Sequence, residues 1–184
     1  MRKIILDLAV TLDGFIEGAN GEVDWCIMDD DMGFDQFVEE IDTILYGRIS
    51  YELYGYYTPD ASRSQTEIDF AKATQKMKKY VFSRSLSTIQ GNVTLVSENI
   101  AEEIYKLKES PGKDIWLFGG ASLITSFIQA GLIDEYRIGV HPVALGSGKP
   151  LFQQLQQRLD LRLIDTKVYR SGVTLLRYKP KQSE

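Results

Sequence analysis

The stretch of residues 114–133 (DIWLFGGASLITSFIQAGLI) limits most strictly what this chain can fold into. Its four apolar residues 115–118 follow one another without a polar interruption, which predicts a strand buried on both faces, as in a parallel sheet. Gly119 and Gly120 come next, and apolar residues then recur at helical spacing until Gly131, a helix stop signal. A strand, two glycines and a helix can point backbone N–H groups at an anion, typically a phosphate. The alternative interpretation is a tight turn that binds nothing.

Strands and helices alternate along the rest of the chain before a final run of strands. We predict further strands at residues 3–10, 43–46, 79–83, 93–96 and 135–141, and a closing hairpin of 161–169 and 173–178. Helices are predicted at residues 33–42, in a brief segment that ends at Tyr54, at residues 66–78 and after Ser97. A capping box of Thr66 and Asp69 would open the third helix, and Ser97 would cap the fourth. This order predicts an α/β fold with a mainly parallel sheet whose last strands are antiparallel.

Composition narrows the class of protein. With 184 residues, 43% of them hydrophobic, the chain suits a single domain, residues 1–184, with a sizeable core. A net charge of −5 argues against a nucleic-acid partner, and no apolar stretch approaches the ~20 residues of a membrane span. The single Cys26 and the single His141 leave no basis for a multi-cysteine metal cluster, so no metal is expected. Since Asp7 interrupts the apolar run near the N-terminus, we predict no secretory signal and a cytoplasmic location.

Three predicted strands end in residues that suit phosphate. Gly47 and Arg48 follow one strand, Ser83 and Arg84 follow another, and the two glycines at 119–120 follow the third. Ligands of open α/β sheets collect beyond the carboxyl ends of parallel strands, so neighbouring strands would bring these groups to one rim. The planar guanidinium of arginine can make two parallel hydrogen bonds to a phosphate. The set therefore suits a ligand with several phosphates, and the alternative is that both arginines are solvated surface cations.

Five motifs, in this order and at suitable spacing, resemble the dihydrofolate reductase-like family, and within it the reductase domain of the bifunctional riboflavin biosynthesis enzyme. They are VTLDGFIEG, ILYGRISYE, KYVFSRSL, IWLFGGASLI and HPVALGSGKPLF, and the resemblance runs from Lys3 to Tyr178. It implies a three-layer α/β sandwich around a twisted, mostly parallel sheet with a C-terminal antiparallel hairpin. It also implies NADPH as hydride donor to a pyrimidine, pteridine or folate-like substrate, of the riboflavin type rather than the substrate of a true dihydrofolate reductase.

The resemblance assigns cofactor contacts to four segments. Ala9 and Val10 would offer backbone groups to the nicotinamide, and the loop 11–18, with Asp13 and Gly14, would close over it. Gly47 and Arg48 would hold the pyrophosphate side, with Ile49 and Ser50 at the start of the following helix. Ser83 and Arg84 would lie at the 2′-phosphate, which implies NADPH over NADH. The pyrophosphate would be wrapped by Gly119, Gly120, Ala121, Ser122 and Leu123.

On the substrate side, the resemblance implies Trp25 as a floor, with Leu145 and Gly146 nearby. Folate-reducing members carry an acid on the first helix that helps to protonate the substrate, and Asp30 is the nearest counterpart by its spacing from Trp25. An acid near an apolar pocket can have its pKa raised toward the working pH. The alternative is that Asp30 and its acidic neighbours form a solvated turn that caps the helix beginning near Gly33.

Two functions stay open from the sequence. One is an NADPH-dependent reductase with direct hydride transfer and neither metal nor flavin. The other is a non-catalytic NADP(H)- or nucleotide-binding protein with the same fold, suggested by the loosely matched acid. A homodimer is predicted through either the C-terminal hairpin, whose apolar strands would present an edge, or a tyrosine cluster. That cluster consists of Tyr51, Tyr54, Tyr56 and Tyr57.

Overall fold

The structure is a computed structural model that describes residues 1–56, 58, 64–89 and 91–181. The strands are β1 (Ile4–Thr11), β2 (Phe15–Glu17), β3 (Ile41–Gly47), β4 (Lys78–Phe82), β5 (Val93–Val96), β6 (Asp114–Gly119), β7 (Glu135–His141), β8 (Lys149–Pro150), β9 (Leu161–Val168) and β10 (Thr174–Pro180). The helices are α1 (Phe34–Glu40), α2 (Arg48–Tyr54), α3 (Gln65–Gln75), α4 (Ile100–Glu109) and α5 (Ala121–Gln129), and a 3-10 turn spans Asp30–Met32.

Eight strands form one sheet in the order β5-β4-β3-β6-β1-β7-β10-β9. All neighbours from β5 to β7 are parallel, whereas β10 runs antiparallel to both β7 and β9. The small strands β2 and β8 pair separately and connect the loop after β1 to the loop after β7. The predicted parallel sheet with a C-terminal antiparallel hairpin is confirmed.

Alternate residues of the central strands pack against helices on opposite faces, as the pleat of a strand requires. On one face, Leu6 and Leu117 pack with Ile104 of α4 and with the apolar side of α5, including Phe127. On the other face, Ile5 and Trp116 pack with Phe37 of α1, Tyr51 of α2 and Phe70 of α3. This arrangement is the predicted three-layer sandwich. None of the helices in the described ranges combines the length and apolar character that a membrane span requires.

Several predicted boundaries are wrong by a few residues. Helix α1 ends at Glu40 because Ile41 already pairs with Asp114 in the sheet. The capping box of α3 uses Ser64 and Glu67 rather than Thr66 and Asp69: the Ser64 hydroxyl accepts the Glu67 N–H at 3.2 Å. Helix α4 is preceded by Asn99 in a left-handed conformation without a side-chain cap, so Ser97 does not cap it. Local spacing had indicated each helix but not which nearby residue starts or ends it.

A buried carboxylate connects β7, β10 and α1. Glu135 accepts hydrogen bonds from Arg137 at 2.9 Å and from Arg177 at 2.7 and 2.9 Å. Arg137 also donates to Glu40 at 2.6 Å, and its guanidinium lies 5.2 Å from the centre of the Phe37 ring. These contacts attach the antiparallel hairpin and the first helix to the parallel part of the sheet.

Candidate functional site

The three strand ends predicted to suit phosphate lie side by side. Strand β3 pairs with β4 on one side and with β6 on the other, and β6 pairs in turn with β1. All four strands are parallel, so Ser83, Arg48, Gly120 and the loop after Thr11 leave the same edge of the sheet. At about 4.8 Å between strands, β4 and β6 are separated by roughly 10 Å. The structure thus brings the predicted cofactor residues to one rim.

The glycines at the centre of this rim allow two backbones to meet. A Cβ added to Gly47 would lie 3.3 Å from the Gly120 nitrogen and 3.5 Å from the Gly119 carbonyl oxygen. Gly119 has a φ of 120°, a conformation that other residues rarely adopt. Gly120 is the N-cap of α5 and has no side chain, so the first N–H groups of this helix, at Ala121, Ser122 and Leu123, donate no hydrogen bond to an N-cap side chain. This cradle of uncapped N–H groups fits a phosphate.

The two arginines of the rim have different surroundings. Arg48 donates from one nitrogen to both carboxylate oxygens of Glu52, at 3.0 and 2.9 Å, on the exposed side of α2. Arg84 is exposed and lines a surface cavity of about 490 Å³ together with Ser97, Glu98, Asn99 and Ile100. Among the described residues no carboxylate pairs with Arg84. The Ser83 hydroxyl accepts the N–H groups of Ser85 and Leu86 at 3.3 and 3.2 Å, which fixes the turn that carries Arg84.

The loop after β1 is tied to the loop after β7 by Asp13. The Asp13 carboxylate accepts the Thr11 hydroxyl at 2.6 Å and the N–H groups of Gly146 and Leu145 at 2.7 and 3.3 Å. These hydrogen bonds, led by that of Thr11, hold the pKa of Asp13 below its ordinary value. The Gly14 carbonyl accepts the Leu151 N–H at 2.9 Å. Asp13, Gly14, Leu145 and Gly146 are therefore neighbours, and Asp13 shapes both loops.

A small part of the middle of the sheet is partly exposed, on the face shared with Phe37 and Trp116. Strand β1 lies between β6 and β7, yet Asp7 and Ala9 are partly exposed. Both point to the same face as Ile5, because side chains alternate along a strand. Their register partners on β7 are Arg137 and Gly139, and Gly139 is partly exposed as well. We call the partly exposed patch of Asp7, Ala9 and Gly139 the β1 groove.

Trp25 lies at the carboxyl end of the β1 groove. Its ring meets the buried His141 ring edge-on, with centroids 5.4 Å apart. The two His141 ring nitrogens lie 3.0 Å from the Gly139 carbonyl oxygen and 3.4 Å from the Ile27 carbonyl oxygen. His141 therefore fixes the segment around Trp25 against β7, which is a structural role.

Comparison with known proteins places this architecture in a family. A model of the RibD C-terminal domain matches residues 2–175. The chain belongs to this family. It is 57% identical over 177 residues to the uncharacterized protein YyaP of Bacillus subtilis (strain 168), covering 96% of this chain and 94% of that protein. It is 36% identical over 180 residues to the uncharacterized protein YwjB of the same organism, covering 95% of this chain and 96% of that protein.

Solved structures share the fold of this RibD C-terminal domain. A putative riboflavin biosynthesis protein from Shewanella sp. PV-4 has a TM-score of 0.79 at 26% identity, covering 99% of this chain and 100% of its own. A deaminase/5-amino-6-(5-phosphoribosylamino)uracil reductase from Thermotoga maritima has a TM-score of 0.69 at 14% identity, covering 98% of this chain and 57% of its own. Dihydrofolate reductase from Enterococcus faecalis, complexed with NADP(H), has a TM-score of 0.67 at 14% identity, covering 98% and 97%. At 14% identity, the likeness to the Thermotoga maritima and Enterococcus faecalis structures shows the fold alone.

Asp30 of this RibD C-terminal domain does not have the surroundings that the sequence analysis required of a proton donor. It lies exposed in the 3-10 turn before α1, and its carboxylate accepts a hydrogen bond from the Thr66 hydroxyl. An exposed acid lacks the apolar pocket that the proton-donor role requires. The solvated-turn interpretation describes this residue better.

Asp7 is the acid that sequence reasoning missed. It was considered only as an interruption of the N-terminal apolar run, whereas the structure places it on the floor of the β1 groove. Burial raises its pKa to about 7, against the opposing effect of Arg137. The signal in the sequence was a lone carboxylate within an otherwise apolar central strand, IILDLAV.

Proposed function

We propose that this RibD C-terminal domain is an NADPH-dependent reductase that transfers hydride to a small heterocyclic substrate of the pyrimidine, pteridine or folate type. A riboflavin-type substrate is favoured over that of a true dihydrofolate reductase. The observation that carries the proposal is the rim on which Gly47, Ser83 and the two central glycines lie on neighbouring strands. It adjoins the β1 groove, where a flat ring can lie over Ala9.

NADPH would supply the hydride, and the rim offers a partner for each of its phosphates. The uncapped N–H groups of residues 121–123 would hold the pyrophosphate, helped by Arg48. Because the exposed pair of Arg48 with Glu52 is worth only about 0.3–0.5 kcal/mol, a phosphate can replace Glu52 at small cost. Arg84 would hold the 2′-phosphate in the surface cavity beside α4. Ala9 and Val10 would lie along the nicotinamide.

The function is tested by binding and by turnover. Quenching of tryptophan fluorescence would report NADPH binding, and NADPH absorbance would report oxidation with pterins, pyrimidine ribosyl compounds and dihydrofolate. Turnover with one of these acceptors would reject the alternative of a non-catalytic NADP(H)-binding protein, which the exposed Asp30 favours. Binding without any turnover would support that alternative, and an absence of NADPH binding would contradict both.

Replacing Arg84 by alanine is expected to weaken NADPH binding about 10- to 100-fold and to leave NADH binding unchanged. The loss corresponds to the 1.5–3 kcal/mol typical of a hydrogen bond to a charged group, and NADH lacks the 2′-phosphate that Arg84 would contact. Fluorescence titration with both nucleotides measures the difference. Arg158→Ala is the control, because Arg158 is an exposed arginine paired with Asp160. Equal losses for NADPH and NADH would contradict the assignment.

A homodimer through the β9 edge is also expected. Strand β9 forms an outer edge of the sheet and exposes Leu163 by 51% and Val168 by 70%. An exposed apolar edge strand is a place where a second chain can pair. Light scattering after size exclusion should give a molecular mass of twice the 20.9 kDa of one chain. Val168→Lys should reduce this mass. A mass of 20.9 kDa for the unaltered protein would contradict the dimer.

The tyrosine cluster is a poorer candidate for the interface. Tyr51 is buried, with ring centroids 5.7 Å from Tyr46 and 5.0 Å from Tyr56, so these rings pack within the domain. Tyr54 packs on Phe118 at 5.5 Å. Tyr57 lies outside the described residues. The lack of nucleic-acid partners stays a prediction, supported by the net charge of −5. The cytoplasmic location also stays a prediction.

A further inference from the structure

The position of Asp7 sets it apart from the other acids of the chain. It lies in the central strand β1, two residues before Ala9 and on the same face of the sheet. Two residues along a strand span roughly 6.6 Å, so a ring that lies over Ala9 is within reach of the Asp7 carboxyl group. The Trp116 indole donates to the Asp7 carbonyl oxygen at 2.9 Å, which fixes the backbone at this point.

The Asp7 carboxyl group has no hydrogen-bond partner among the described residues. Arg137, the cation with the largest effect on Asp7, already donates to Glu135 and Glu40. Arg177 already donates to Glu135 and lies 3.5 Å from Asp165. The charges that act on Asp7 from β7, β10 and α1 belong to Arg137, Glu135, Arg177 and Glu40. Tyr169, which follows β9, also faces Asp7, and its hydroxyl group is neutral. Two cations and two carboxylates balance one another, so no unpaired cation holds Asp7 in its ionised form.

This environment keeps a proton available in the groove. Burial raises the pKa of Asp7 to about 7, with Arg137 opposing the change and Glu135 adding to it. A carboxyl group with such a pKa is protonated in a large fraction of molecules at neutral pH, and a general acid works best when its pKa is near the working pH. An isolated, titratable group that is partly exposed in a groove is typical of a functional site.

We propose that Asp7 is the proton donor to the heterocycle, a role that rests on the proposed reductase function. The substrate class is a ring with a C=N bond that lies over Ala9. Addition of hydride to the carbon leaves the electron pair of that bond on the nitrogen. The O–H bond of the Asp7 carboxyl group then breaks, its proton forms the new N–H bond, and the remaining carboxylate takes a proton from water.

Two other groups at the groove are less suited to this step. His141 is buried beneath Trp25, and both of its ring nitrogens face backbone carbonyl oxygens. The Tyr169 hydroxyl group donates a hydrogen bond to the Met32 carbonyl oxygen at 3.0 Å, and burial raises the pKa of Tyr169 above the ordinary value. Asp7 is partly exposed, and its proton leaves near neutral pH.

The test compares Asp7→Asn with Asp24→Asn, an exposed acid in the segment before Trp25. The first readout is infrared absorption: the unaltered protein and Asp24→Asn should show a protonated carboxyl band that disappears near pH 7, and Asp7→Asn should lack it. The second is NADPH oxidation with the most active acceptor of the panel. With Asp7→Asn, NADPH oxidation should be slower by at least about 100-fold and NADPH binding should be unchanged. The rate of the unaltered protein should fall as the pH rises above the pKa of Asp7, and the variant should not show this fall.

The outcomes separate this proposal from the function on which it rests. If the unaltered protein binds no NADPH or oxidises it with none of the acceptors, the reductase function fails, and the role of Asp7 fails with it. If turnover occurs and Asp7→Asn keeps the rate and the pH profile, only the role of Asp7 is overturned. An infrared titration near the ordinary carboxyl pKa, or a loss of pH dependence in Asp30→Asn instead, would also overturn it.

Discussion

Replacing Glu135 by alanine is expected to destabilise the fold by about 3–5 kcal/mol, because the change leaves a buried charge without its partner. Glu135 is 2% exposed and receives hydrogen bonds from both Arg137 and Arg177. Burial disfavours its ionised form, but the hydrogen bonds from the two arginines outweigh this effect and hold its pKa below the ordinary value. Without the carboxylate, the buried guanidinium of Arg137 would retain only Glu40.

Urea unfolding followed by tryptophan fluorescence measures this loss. The matched control is Asp160→Ala, which removes a carboxylate from the exposed pair with Arg158 and should change the free energy of unfolding little. Glu135→Gln, which keeps the shape and removes the charge, should fall between the two. A loss for Glu135→Ala no greater than that of the control would show that the hairpin is held to the sheet by its backbone and apolar contacts alone.

The sheet and the rim could be predicted because their signals are local. An apolar run closely followed by glycine or arginine marks the end of a buried parallel strand, and three such ends fall on the neighbouring strands β4, β3 and β6. Local signals could not predict the hydrogen-bond partners of each group. Arg48 is paired with Glu52, and the Asp13 carboxylate accepts N–H groups of the distant loop at 145–146. Those partners are determined by the tertiary fold.

The groove was harder to predict because its parts come from distant segments. Gly139 faces Ala9 only through the register of β7 on β1, and Trp25 meets His141 from a segment without any periodicity. Spacing from Trp25 selected Asp30, but spacing does not tell which way a side chain points in an irregular turn. For the same reason Asp7 was passed over, since a carboxylate inside an apolar strand looks like an interruption until the face it occupies is known.

Asp7→Asn is expected to raise the free energy of unfolding by about 2–4 kcal/mol near pH 8 and to change it little near pH 4. The folded-state pKa of Asp7 is raised from 3.8 to about 7. Below the lower value both states carry the proton, so the unaltered protein and the variant should be equally stable. As pH rises through this window the folded state retains the proton longer than the unfolded state, so the unaltered protein loses stability that asparagine does not lose.

Urea unfolding of both proteins from about pH 4 to pH 8 isolates this effect, because all other titrating groups are common to the pair. The control variant Asp24→Asn, which replaces an exposed acid, should have the same free energy of unfolding as the unaltered protein at every pH. A difference between Asp7→Asn and the unaltered protein that does not change with pH would show that Asp7 titrates normally. A pH-dependent gain would mean that the chain keeps, on the floor of its groove, a carboxylate that weakens the fold at neutral pH. Such a cost is expected where activity depends on a destabilising group, so the measurement bears on function without needing a substrate.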